Sequence, residues 1–399
     1  MSTDLRGKQL PSGIYQRKDG RYEARAVVHG IKIQLYSFNL KELKAEFKKQ
    51  KELAEQGIDD KMANITLDEW FEEWFEKYKI PFIKETSVSP MRAKYRSSFG
   101  RLIGHMKVSD IRNIDIQNVI NVMRKEGRAT SSMRDALGRV RECLEAAKYN
   151  RIISENPCFA ISVPWENVKR ERRFLTKEEQ NRFLRQAEGN WYKEMFYIMF
   201  LTGMRIGEVG GLKWEDVDFK NKCINIQRSL SCQYEEGIKT VRLTKPKTFN
   251  SYRKIPFMGE AEEMFLSQRK KQEMLKKELG QRYRSKDEYE DLVFVTSLGS
   301  PVFRHHAEKE IKKIVKEIND QEAFDSAREL REPHYFEHMY PHAIRHTFCS
   351  RCFQLNMNPK VVQKIMGHQH YSTTIDTYTH IMQDEFENEI SKMESAVSK

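Results

Sequence analysis

The residues able to do chemistry crowd into one stretch, 340–380, which reads YPHAIRHTFCSRCFQLNMNPKVVQKIMGHQHYSTTIDTYTH. His342, Arg345, His368 and Tyr378 follow one another along it. A tyrosine hydroxyl can attack phosphorus and hold it as a covalent phosphotyrosine. Arginine matches the non-bridging phosphate oxygens two at a time and stabilises the charge that grows on them. Histidines accept or donate the proton in flight. Together these types describe a phosphoryl-transfer centre.

Local signals say how the chain must hold them. Pro341 suits a helix start, which puts His342 and Arg345 at i,i+3 spacing on one face. Gly367 is a C-cap for a helix over 359–366, so His368 follows directly on its end. A competing reading is zinc: His334, His338, His342 and His346 recur every four residues, and Cys349 and Cys352 form a C-x-x-C. Pro341 splits that ladder, and no second pair stands at finger spacing. The expectation is therefore no metal, with Cys349, Phe353 and Leu355 on the buried face of a helix.

HAIRH, then GH, then TYTH resembles the C-terminal signature of the tyrosine recombinases, phage and conjugative-transposon integrases in particular. The resemblance implies an upstream arginine and a lysine. Arg205 in TGMRIGE, followed by GLKW, fits the first, although beside Glu208 it also reads as half of an i,i+3 ion pair. Lys247 in Pro-Lys-Thr fits the second, with Lys245 and Lys254 as rivals that spacing does not separate. The family mechanism then implies attack of Tyr378 on a DNA phosphodiester, giving a 3′-phosphotyrosyl link and a free 5′-hydroxyl. Arg205 and Arg345 would clamp the phosphate, Lys247 would protonate the departing oxygen, and His342 and His368 would assist proton transfer. No cofactor is implied. Two rival readings are a type IB topoisomerase and a non-catalytic DNA-binding protein on the same fold.

The rest of the chain agrees in character. It has 399 residues, more than one ordinary core, and a net charge of +12, which calls for a polyanionic partner. No apolar run reaches membrane-spanning length, and six scattered cysteines do not form a disulfide framework. Double-stranded DNA is the expected partner and the bacterial cytoplasm, nucleoid-associated, the expected location. The resemblance adds self-assembly into a synaptic tetramer and an accessory excision factor.

A multidomain fold follows. Residues 1–57 carry three short strands, with turns at Lys18-Asp19-Gly20 and His29-Gly30, then a helix opened by Asn39 and Glu42. This small sheet would present Arg17, Lys18, Arg21, Arg25 and Lys32 outward, and it resembles an arm-type DNA-binding domain. Residues 65–158 read as four helices, a core-binding, SAM-like domain. The stripe Leu67, Trp70, Phe71, Trp74, Phe75 and Tyr78 is its core, a second helix runs over 91–103, and Arg134, Arg139 and Arg141 lie off the apolar face. A basic linker, 159–173, carries Lys169, Arg170, Arg172 and Arg173, where counterion release favours DNA. Residues 174–399 form the mainly α catalytic domain with a small antiparallel β-sheet. Its segment 260–284 reads as a long charged helix, largely at the surface. Its tail helix carries Phe386, Ile390, Met393 and Val397 on one stripe, to dock on its own domain or on a neighbouring subunit.

Overall fold

The computed structural model describes residues 3–55, 64–165, 173–235, 238–244, 252–285, 287–372 and 374–375. The chain divides into two compact units, Met1–Lys169 and Arg170–Lys399. The first unit contains two separate hydrophobic cores.

The N-terminal core forms between a three-stranded antiparallel sheet, in the order β1 (Ile14–Gln16), β2 (Tyr22–Val28), β3 (Ile31–Ser37), and α1 (Leu40–Glu55). His29 and Gly30 both have positive φ (47° and 83°), the two-residue turn whose twist matches that of the strands. Ala24 and Ile33 face Leu43, Phe47 and Ala54 of the helix. Asn39 caps α1 through its side chain, accepting the Lys41 N–H at 3.0 Å. Its own N–H goes to Ser37 Oγ at 3.0 Å, so the expected reciprocal bond to Glu42 is replaced by one to the serine that ends β3.

The helical core follows. α2 (Leu67–Trp74) opens on a complete capping box between Thr66 and Glu69. A wider, π-type turn at Phe75–Lys79 continues it. α3 (Glu85–Tyr95) runs through a second such turn, Arg96–Gly100, into α4 (Arg101–Ile103); α5 (Asn113–Lys125) and α6 (Thr130–Tyr149) complete the set. Leu67, Trp70, Phe71, Trp74 and Phe75 are buried, but Tyr78 is 46% exposed. The wide turn takes an extra residue, which carries Tyr78 off the stripe. α3 also starts six residues ahead of the expected Met91. Pro90 forfeits one backbone bond there, while Val88 and Met91 gain packing on the aromatic core. The expected linker begins docked on this unit: Ile161 and Val163 pack on the helical core, and Gln117 Nε2 donates to the Ser162 carbonyl at 2.9 Å.

In the second unit α7 (Lys177–Gln186) leads to α8 (Lys193–Thr202), whose Met195, Phe196, Ile198 and Met199 are completely buried. After the short α9 (Ile206–Gly210) come two small antiparallel sheets. One has the order β4 (Val217–Asp218), β5 (Cys223–Ile226), β8 (Arg253–Pro256); the other is the hairpin β6 (Ser229–Glu235) and β7 (Ile238–Thr244). α10 (Gly259–Leu279), α11 (Arg304–Glu329), α12 (Pro341–Gln354) and α13 (Pro359–Met366) follow. α10 is exposed along most of its length, as its charge suggested, and carries one buried stripe. It buries Ala261, Phe265 and Leu275, and the amides of buried Gln268 and Gln272 donate to the carbonyls of Val293 and Leu292. Among the described residues no helix is long and apolar enough to cross a membrane.

Phe71 stacks on Tyr95 with centroids 3.6 Å apart and also on Phe75 at 5.4 Å. Phe71→Ala is expected to cost about 3–5 kcal/mol, read as a lower midpoint of urea unfolding for the first unit.

Candidate active site

Buried α8 ends at Gly203, which takes the left-handed conformation (φ 63°). A Cβ there would stand 2.3 Å from Phe348 Cδ1, so only glycine lets α12 lie this close. That closeness has a use. Arg345, 2% exposed on α12, donates from Nη1 to the Gly203 carbonyl at 2.6 Å and from Nη2 to the Met366 carbonyl. Burial, then the charge of Arg205, pushes the Arg345 guanidinium down to about 9, which leaves it protonated at neutral pH.

Arg205 follows Gly203 by two residues, at the start of α9. Its Nη1 donates to Glu208 Oε1 at 2.8 Å and its Nη2 to the Gly367 carbonyl at 3.1 Å. Its side chain is 33% exposed, so Arg345 forms the floor of the site and Arg205 its rim. The i,i+3 ion pair with Glu208 is therefore present, and it aims the arginine at the end of α13.

A residue that sequence reasoning passed over completes the arrangement. Arg253 on β8 grips Glu208 with both ends of its fork, Nη1 to Oε1 at 2.9 Å and Nη2 to Oε2 at 2.8 Å. Its Nε donates to the Ile365 carbonyl at 2.5 Å. Three consecutive carbonyls at the C-terminal end of α13, those of Ile365, Met366 and Gly367, thus accept from Arg253, Arg345 and Arg205. A helix end leaves such carbonyls without partners inside the helix, and its dipole favours cations there. Burial alone would raise the Glu208 carboxyl, but the hydrogen bonds and charge of Arg253, with the charges of Arg205 and Arg345, hold it down at about 2.

His368 leaves this helix end fixed on two sides. Its Nδ1 lies 2.9 Å from Oγ1 of buried Thr374, and its carbonyl accepts from Gln363 Nε2 at 3.2 Å. Gly367 is the left-handed C-cap that the sequence suggested. His342 stands exposed in the first turn of α12, which has Pro341 at its start, with its ring 5.3 Å from that of His346. Arg205, Arg345 and His368 are brought together, and His342 lies one turn before Arg345. Lys247, its rival Lys245, Tyr378 and the tail from Asp384 lie outside the described residues. Lys254 is described and points away: β8 alternates buried and exposed, with Arg253 inward and Lys254 outward.

The histidine–cysteine series is divided as the proline predicted. Cys349, Cys352 and Phe353 pack with Val362 and Met366, and burial pushes the Cys352 thiol up to about 12. Leu355 does not join them; it sits at the C-cap of α12 and is 74% exposed. Among the described residues no three metal-binding side chains converge.

The proposed DNA contacts sit in varied company. On the sheet, Glu23 is buried beneath the basic face, with Arg25 Nε at 2.5 Å, Gln34 Nε2 at 2.7 Å and Arg17 Nη1 at 3.6 Å. Arg21 forks onto Asp19, at 3.0 and 2.7 Å. These arginines are thus ordered over carboxylates, which alternation alone did not reveal. Lys18 and Lys32 are exposed. On α6, Arg134 is exposed with its guanidinium 5.8 Å over Trp165, Arg139 pairs with Asp135 at 2.5 Å, and Arg141 reaches the Cys158 carbonyl at 3.3 Å. Arg173 pairs with Glu179 at 2.5 Å and Glu337 at 3.3 Å. Lys169, Arg170 and Arg172 lie outside the described residues.

Glu208 gives a pH prediction. Its folded pKa of about 2 lies below the ordinary 4.5. Its stabilisation is therefore complete above about pH 4.5 and lost as pH falls towards 2. Glu208→Gln is expected to melt lower at neutral pH and to lose less further stability between pH 4.5 and 2 than the wild type, as followed by thermal melting at each pH.

This geometry has counterparts among known proteins. The phage integrase family matches residues 173–385, and the phage integrase N-terminal SAM-like domain matches residues 66–124. The transposase from transposon Tn916 of Enterococcus faecalis is 26% identical over a 416-residue alignment, covering 98% of this chain and 96% of that one. A Tn1549 transposon integrase solved in complex with transposon right end DNA superposes with a TM-score of 0.66 at 23% identity, covering 82% of this chain and 99% of that one. The lambda integrase, solved as a tetramer bound to a Holliday junction, gives 0.53 at 16% identity over 93% and 95%. The last two likenesses speak for the fold, while the family match takes in more than half of the sequence. This chain accordingly belongs to the phage integrase family: it is a tyrosine recombinase, an enzyme of DNA recombination.

Proposed function

We propose that this recombinase is the integrase of a mobile element, exchanging DNA strands at specific sites through a 3′-phosphotyrosine at Tyr378. The observation that carries the reading is the pair of guanidiniums, Arg205 and Arg345, held on the same helix end beside His368. A phosphodiester seated there would meet two fixed, charged donors, and the charge that grows on its oxygens at the transition state is what such donors stabilise. The Tyr378 oxygen forms a bond to phosphorus as the 5′-oxygen leaves, taking a proton from Lys247. His342 and His368 orient the phosphate and relay the tyrosine proton. Attack by the 5′-hydroxyl of a partner duplex reverses the step, releases Tyr378 and joins the new strand. One phosphate ester replaces another throughout, so the exchange requires no external energy source.

The same reading implies partners. Double-stranded DNA would be held at core sites by the helical domain and the catalytic domain, and at arm sites by the N-terminal sheet. The Tn1549 and lambda enzymes are both seen on DNA, the latter as a tetramer. By the same token four copies of this chain would assemble in synapsis in the cytoplasm of a bacterial host, with an accessory excision factor setting direction.

Two experiments test this. Tyr378→Phe should abolish covalent attachment to a nicked suicide substrate while leaving DNA affinity unchanged, because only the attacking oxygen is removed; a labelled adduct on the Phe variant would overturn the assignment. Lys18→Ala with Lys32→Ala should make the salt dependence of arm-site binding shallower, by about 0.9 in the log–log slope for each phosphate that is no longer neutralised. Filter binding across a salt series reads it, and an unchanged slope would remove both lysines from the interface.

A further inference from the structure

Arg253 stands outside the residues that the strand-exchange reading uses, yet it touches two of the parts that hold them. The carboxylate of Glu208 has two oxygens, and each serves both arginines. Oε1 accepts from Arg205 Nη1 and Arg253 Nη1, at 2.8 and 2.9 Å; Oε2 accepts from the Arg205 backbone N–H and Arg253 Nη2, at 2.9 and 2.8 Å. A fork on both oxygens fixes the plane of the carboxylate, and that plane sets the direction in which Arg205 points. The third donor of Arg253 reaches the Ile365 carbonyl, two residues before the carbonyl that Arg205 itself holds.

Charge leads to the same residue. Glu208 is 4% exposed and Arg253 8%, so water does little to neutralise either one. Without Arg253, the carboxylate would pair with Arg205 alone and cancel the charge that a phosphate needs. With Arg253 as its counter-ion, the group of three keeps a net positive charge, and Arg205 can be oriented by Glu208 without being neutralised by it.

We propose that Arg253 is a positioning residue for strand cleavage: it neutralises and orients Glu208, and through Glu208 and the helix end that both arginines hold it keeps Arg205 in register with the phosphate. The proposal rests on the phosphotyrosine reading above. An ordinary buried ion pair would affect stability alone; a positioning role affects the chemical step, acts through Arg205 and spares DNA affinity.

The test uses the full-length chain on a nicked suicide duplex, with single-turnover cleavage and DNA affinity measured separately for Arg253→Met, Arg253→Lys, Arg205→Ala and the double variant Arg253→Met/Arg205→Ala. Misplacing a catalytic group by about 1 Å costs on the order of 10²-fold in rate. Arg253→Met is therefore expected to cleave on the order of 10²-fold more slowly with Kd unchanged, and Arg253→Lys, which keeps the charge but not the fork, to fall between it and the wild type. Because Arg253 acts through Arg205, the double variant should cleave no more slowly than Arg205→Ala. Wild-type cleavage by Arg253→Met, or losses that multiply in the double variant, would overturn the proposal. Should Arg253→Met fail to fold, Arg253→Lys decides alone: slower cleavage at unchanged Kd and melting temperature supports the role, and wild-type cleavage ends it. A wild-type chain that forms no covalent adduct would instead remove the phosphotyrosine reading itself, so the two failures are told apart.

Discussion

One buried carboxylate carries the catalytic unit. Glu208 sits between Arg205 and Arg253 with Arg345 close enough to help hold its charge. Like charges gathered this tightly repel, and the cluster persists because Glu208 and the carbonyls at the end of α13 supply negative charge among them. Removing one partner from a buried ionic group leaves an uncompensated charge, which is why these residues stand or fall together.

The fold around them serves this gathering. α8 supplies a rigid apolar floor, Gly203 lets α12 close down on it, and the end of α13 is drawn to both by the arginines. The approach of α9 to the neighbouring loop follows the same economy of atoms: a Cβ at Gly210 would stand 2.5 Å from the Val302 carbonyl oxygen. Four segments distant in sequence, those carrying residues 203–208, 253, 345 and 365–368, meet at one point.

Much of this was legible beforehand, for physical reasons that can be named. Local signals read true: Pro341 starts a helix, Gly367 ends one, and His29-Gly30 turns a hairpin. Arg345 and His368 stand at short spacing from two of these signals, Pro341 and Gly367, whereas Arg205 was singled out by the family resemblance that TGMRIGE carries. What alternation and helical periodicity do not encode is a polar group facing inward. Arg253 looked like one more basic residue in a strand, although the inward position next to outward Lys254 was its signal. Gln268 and Gln272 give no apolar sign of the stripe that α10 buries, and Glu23 lay hidden beneath arginines that seemed to face only solvent. For Arg253 and the two glutamines the partner comes from a distant segment, so no local window of sequence contains both halves.

The three carbonyls at the end of α13 have a consequence for how a phosphate is received. A guanidinium in water is surrounded by mobile dipoles that must turn when a new anion arrives, and that turning is part of the barrier. Here Arg345 is instead solvated by the peptide groups of Gly203 and Met366, and Arg205 by that of Gly367. These dipoles are covalently tethered and already aligned, so an arriving phosphate meets an environment with little left to rearrange. The backbone at this point acts as a frozen solvent, and the low reorganisation energy of the site is a property of two helix termini, those of α8 and α13.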